Sequence, residues 1–328
     1  MNNHNGLTLL RILVGLVVAS SIAAGTVAVL RMDLWGDRTS HQAAAEETAP
    51  EIDASLIHYR QTGQFAVGLR EARALAVGPD GWICVGGDRA VNVLSPDGSR
   101  AYGIAVGGSP QCLAIADNLY VGMEDRVEVY DAKGKRLAAW KPLGGEAAIT
   151  GLVAAENDVF VADAGNQIVW HFDTSGKLKG RIGEPNKARN YPGFLITNHY
   201  FPLTIGGDGL LHVVNPRALR VEAFTFGGDL EYSWGKGSPG VEGFFGCCNP
   251  AYLATLADRR FVTMEKGSRV AKLFSQRGKF ECVVAGPDQI ATIGPIAADR
   301  HGRILILDPT TATVRIYEAK KPTAGASQ

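Results

Sequence analysis

After residue 55 the chain repeats one short pattern six times, and that periodicity limits the fold more than any other feature. Each unit carries a brief apolar run directly after a polar turn: Trp82-Ile83-Cys84-Val85, Leu119-Tyr120-Val121, Val159-Phe160-Val161, Leu210-Leu211-His212-Val213, Arg260-Phe261-Val262 and Ile304-Leu305-Ile306. The turns before them fall near residues 80, 117, 157, 208, 258 and 300, at intervals of 37, 40, 51, 50 and 42 residues. Another apolar run precedes each turn, such as Ala74-Leu75-Ala76-Val77. A third run follows and alternates in character, as in Val127-Glu128-Val129-Tyr130 and Val314-Arg315-Ile316-Tyr317. Then come a second turn, such as Asp173-Thr174-Ser175-Gly176, and a fourth run. Period-two alternation marks strands, and no segment here carries a helical period. Aspartate and asparagine bond their own backbone in turns, while glycine supplies positive φ. Four short strands in each 40 to 50 residues predict an all-β, six-bladed β-propeller over residues 56–318.

The sixth unit holds only three strands. Residues 57–69 read as a strand, a turn at Thr62-Gly63 and a second strand from Gln64 to Leu69. That last strand is expected to complete the sixth blade, so that residues 56–69 close the ring and no sheet edge is left open. The two long intervals place insertions at residues 184–200 and 236–248.

Residues 12–30 form a run of 19 without a charge, long enough for one transmembrane helix. Arg11 and Arg31 flank it, and Trp35 suits an interface. A cleaved signal peptide is the competing reading, with an apolar core from Ile12 to Ala19 and small residues at Ala23-Ala24-Gly25. The run continues past that site to Leu30, which favours an uncleaved anchor. Residues 1–11 are then a cytoplasmic N-terminus and residues 31–55 a flexible linker, carrying a net charge of −4 over residues 36–55. The expected location is the inner (plasma) membrane, single-pass, with the propeller on the periplasmic or extracellular side. Residues 319–328 are expected to be a disordered tail.

Basic and acidic residues balance at 33 each, so nothing points to nucleic acid. Five cysteines, none in a CxxC arrangement, support neither a disulfide scaffold nor a zinc ribbon nor covalent haem. No GxSxG, HExxH, P-loop or dinucleotide fingerprint occurs.

The stretch Val161-Ala162-Asp163-Ala164-Gly165-Asn166-Gln167-Ile168, followed by Phe172 and Gly176, resembles the NHL repeat. Related pieces recur at residues 85–91 and 121–127. Gly246-Cys247-Cys248-Asn249-Pro250, with residues 261–267 and 280–287, is similar to a bacterial subset of NHL-repeat proteins with a GCCNP motif. The resemblance covers residues 56–318 and implies a propeller that binds proteins, RNA or small ligands; a few members are enzymes. The amidating-lyase type, with histidines around a metal, fits less well. His58, His171, His199, His212 and His301 fall on an outer strand, a third strand, a loop, a second strand and a turn.

In a propeller, the loops between blades and those between second and third strands share one face, where side chains converge on the central channel. The candidate ligand- or partner-binding face is therefore Arg89, Asp125, Arg126, Asp163, Asn166, Asn198, His199, Tyr200, Arg217, Cys247, Cys248, Asn249, Glu265 and Lys266, centred on blades four and five. Asp125-Arg126 and Glu265-Lys266 can pair across their turns, mostly as solvated rim charges. Cys247 and Cys248 read as small buried residues, as a disulfide within the pair or with Cys112, or as redox or metal ligands aided by His199 or Cys112. Trp82, Trp140, Trp170 and Trp234 are expected to pack between blades. The expected role is a membrane-anchored binding or scaffold module for a protein or small ligand, with no cofactor. The alternative is a redox or metal-dependent enzyme, or an electron-transfer accessory, using Cys247, Cys248 and His199, with a metal at the central channel.

Overall fold

The computed structural model describes residues 49–321. The expected membrane segment at residues 12–30 lies outside them, as do most of the linker and the end of the tail. Among the described residues no helix is long and apolar enough to cross a membrane.

Six four-stranded antiparallel sheets follow one another along the chain. They are blade 1 (residues 72–105), blade 2 (112–139), blade 3 (149–182), blade 4 (203–234), blade 5 (252–285) and blade 6 (296–319 with the N-terminal strand). The first strand of each blade is innermost and neighbours the first strand of the next. The set closes where Ile296–Ala298 meets Ala72–Val77.

The missing outer strand of blade 6 comes from the N-terminus, but its bounds differ from the sequence reading. One continuous strand, Tyr59–Ala66, pairs with Thr313–Ala319. What reads as a turn at Thr62-Gly63 is a bulge, where the register slips between Gln61 and Gly63. His58 lies just before this strand rather than within it. The end of the expected linker is structured too: Asp53 caps a 3-10 turn at Ala54–Leu56, accepting from the Ser55 amide at 2.8 Å.

The core is divided rather than central. Six apolar clusters fill the six gaps between neighbouring blades. Trp140 sits between blades 2 and 3, against Tyr120 and Phe172. Trp234 sits between blades 4 and 5, against Phe244, Phe261 and Phe274. The fit is tight at the turns between third and fourth strands. Gly176 has φ +85°, and a Cβ there would lie 2.6 Å from the Trp140 ring, so glycine is required on both counts.

Candidate functional site at the loop face

Because successive strands alternate in direction, the loops between blades and those between second and third strands emerge together. The third strand of every blade carries one polar or amphipathic residue at the same register: Asn92, Glu128, Trp170, Glu222, Lys272 and Arg315. Five of these hold the inter-blade loop above them. Asn92 donates to the Val67 carbonyl at 2.7 Å, and Glu128 accepts from the Gly107 amide at 3.1 Å. Glu222 accepts from the Tyr191 hydroxyl at 2.8 Å. Lys272 donates to the carbonyls of Val241, at 2.9 Å, and Gly243, and Arg315 to that of Gln289. In blades 3 to 6 the same residue meets a polar partner seven positions earlier: Asp163 with Trp170, Asn215 with Glu222, Glu265 with Lys272, and Asp308 with Arg315.

This arrangement sorts the candidate residues. Asp163 is fully buried and accepts four hydrogen bonds, from the amides of Ala148 and Asn166 and the side chains of Asn166 and Trp170. Glu265 is no rim charge and does not pair with Lys266. It is buried against Lys272 and accepts from the Phe245 amide at 3.0 Å. Burial raises the Glu265 carboxyl's pKa and lowers that of the Lys272 ammonium, against their attraction. Asn249 is buried and spans Phe245 and Lys266: it donates to both carbonyls, at 2.6 and 3.1 Å, and accepts from the Lys266 amide at 2.9 Å. These three residues build the face from beneath.

Asp125 and Arg126 do pair, at 3.1 Å, and flank a hollow of about 390 Å³ on blade 2. Arg126 also reaches Glu128 at 3.4 Å. Burial opposes ionisation of Glu128. The Tyr130 hydroxyl, the Gly107 amide, Arg126 and Arg136 outweigh it and hold the carboxyl below its ordinary pKa. Arg89, in a left-handed turn of blade 1, donates to the Gly107 carbonyl, and Asn166 and Arg217 are exposed on blades 3 and 4. All five cysteines are free. Cys247 is exposed, and Cys248 is buried with its Sγ 3.3 Å from Thr197 Oγ1, which joins the two insertions. Cys112 lines the channel. Among the described residues no three histidine, cysteine or acidic side chains are placed to hold a metal ion.

The residues brought together are Asn198, His199, Tyr200 and Lys266. The first three line a central cavity of about 810 Å³, enclosed by the inner strands of all six blades. The Lys266 ammonium lies 6.0 Å over the Tyr200 ring, and Tyr200 meets Tyr252 edge-on at 5.5 Å. Tyr252, Thr150 and Lys272 escape the sequence reading. A lysine at an inward register of Val270-Ala271-Lys272-Leu273-Phe274, seven residues after Glu265, is the signal that could have found the last.

The fold defines the molecule as a six-bladed β-propeller. No family model matches the chain, and no curated protein matches it. Solved structures do. A streptogramin B lyase superposes with a TM-score of 0.55 at 12% identity, covering 82% of this chain and all of the other. The virginiamycin B lyase of Staphylococcus aureus gives 0.54 at 14% identity, over 81% of this chain and 90% of that one. A protein of unknown function from Bacteroides thetaiotaomicron gives 0.57 at 14% identity, over 80% and 76%. At such identities the likeness concerns the fold.

Proposed function

We propose that the chain is an NHL-type propeller that works as a binding or scaffold module. On this reading residues 12–30 hold it at the plasma membrane, single-pass, with the propeller on the periplasmic or extracellular side. Its loop face receives a protein partner or small ligand. The observation that carries the proposal is convergence: both insertions, the open end of the channel and the half-buried cluster of Asn198, Tyr200 and Lys266 occupy one face. The anchor is supported by the uncharged run and the acidic linker after it.

Affinity capture from native membranes with the full chain tests this. Arg217→Glu with Lys266→Glu, on the loop face, should lower recovery of the bound partner or ligand about tenfold. Lys133→Glu with Lys177→Glu, in exposed turns at the opposite face, should leave it unchanged. Equal loss from both pairs, or no loss from the first, overturns the reading.

A further inference from the structure

The open end of the channel at the loop face is chemically one-sided, and we infer that it takes an organic acid with an apolar body. The carboxylate sits at the mouth and the apolar part lies down the channel. This rests on the loop-face reading above and gives it a ligand class.

Three consecutive blades supply donors without acceptors to match. Asn198 Oδ1 accepts the Tyr200 amide at 2.9 Å, which fixes the orientation of the side-chain amide. Its Nδ2 is left buried with no protein partner, and Thr150 Oγ1 on the neighbouring blade is in the same condition. Both residues line the cavity. Burial raises the Tyr252 hydroxyl's pKa, so it keeps its proton at neutral pH. Lys266 makes no ion pair with any described carboxylate, and Asn249 holds its backbone through both the amide and the carbonyl. The ammonium and the amide N–H can only donate, and the two hydroxyls can turn to donate as well, so an ionised carboxylate, which only accepts, can satisfy all four.

Other charges at this end do not reverse the sign. Arg73 is engaged by Glu71 at 2.7 Å. Glu124 lines the cavity from blade 2, across the ring from Lys266, and is exposed and solvated. A cation drawn there would stay in water, whereas the blade 3 to 5 donors are partly desolvated. Below the mouth the lining carries apolar side chains, with Ala114, Leu152, Leu203, Leu253, Ala254 and Ile296 among them, and the Thr204 and Thr255 hydroxyls there are paired with each other at 2.9 Å. A space of about 810 Å³ suits a compact organic molecule.

Fluorine NMR titration of the full chain tests the inference with three probes of one shape: 4-fluorobenzoate, 4-fluorobenzyl alcohol and 4-fluorobenzylammonium. The benzoate resonance should broaden saturably and bind about tenfold more tightly than the other two. Lys266→Met and Asn198→Ala should each weaken it about tenfold, and Leu178→Ala, on the outer rim, should not. Thr150→Val, which preserves shape, should also weaken it and serves where either other variant loses its fold. Equal or tighter binding of the alcohol or the ammonium overturns the acid, as does benzoate binding indifferent to all three mouth variants. Absence of benzoate binding with partner capture still dependent on the loop face refutes the acid alone. Loss of both refutes the loop-face reading with it.

Discussion

Lys272 and Glu265 show how much one residue can decide beneath a surface loop. Lys272 joins Glu265 to the carbonyls of Val241 and Gly243, and Glu265 holds the Phe245 amide, so a single buried pair pins residues 241–245. Lys272→Met leaves a carboxylate buried without its partner and should cost about 3–5 kcal/mol in urea denaturation. The double variant Lys272→Met with Glu265→Leu should recover part of that loss, because the charge goes with its partner while the Phe245 amide and the Val241 and Gly243 carbonyls stay without theirs. His212 makes a different prediction. Its Nε2 lies 3.1 Å from Asp208 Oδ1, and Nδ1 accepts from Trp234 Nε1–H at 3.3 Å, which assigns the proton to Nε2. Burial, opposed by Asp208, lowers the imidazole pKa. The folded protein therefore binds fewer protons than the unfolded chain once the pH drops below about 6.5. Stability falls on acidification from there to the folded pKa, by at most about 1.4 kcal/mol per pH unit for this group. His212→Phe should flatten that portion of the stability curve, read from denaturation midpoints between pH 7 and pH 5. Neither pair is legible as a pair in the sequence. A glutamate beside a turn looks solvated until the insertion that covers it is in place.

At the scale of the element, the strand Tyr59–Ala66 is the instructive case. Its task was legible, since the last unit lacks one strand and the segment before the first unit alternates. Its bounds were not, because a Thr-Gly step signals a bulge and a turn alike, and only pairing with Thr313–Ala319 separates them. Deleting residues 49–66 should expose the edge of that strand, along with the buried Val314 and Tyr317. The shortened chain should form oligomers or precipitate, as measured by light scattering, and a synthetic peptide spanning residues 57–68 should restore a monomer. The insertions behave likewise: spacing located them, but not the Tyr191–Glu222 and Lys272 contacts that dock them.

For the whole molecule, repetition made the architecture readable. Six polar turns, six apolar runs and one displaced strand determine a closed ring with little dependence on any single residue. The working surface is less readable for the same reason. The second-to-third-strand connections carry exposed charges in some blades and buried partners in others, as Arg89 and Asp163 show. Where the ring is joined matters as well. Tyr59 opposes Ala319, and the Lys320 amide donates to the His58 carbonyl at 2.8 Å, so the propeller begins and ends side by side where the other blades have their third-to-fourth-strand turns. That is the side away from the loops. A label, resin or sensor chip coupled at either end of the propeller would therefore leave the channel mouth turned toward free solution, whichever end is chosen.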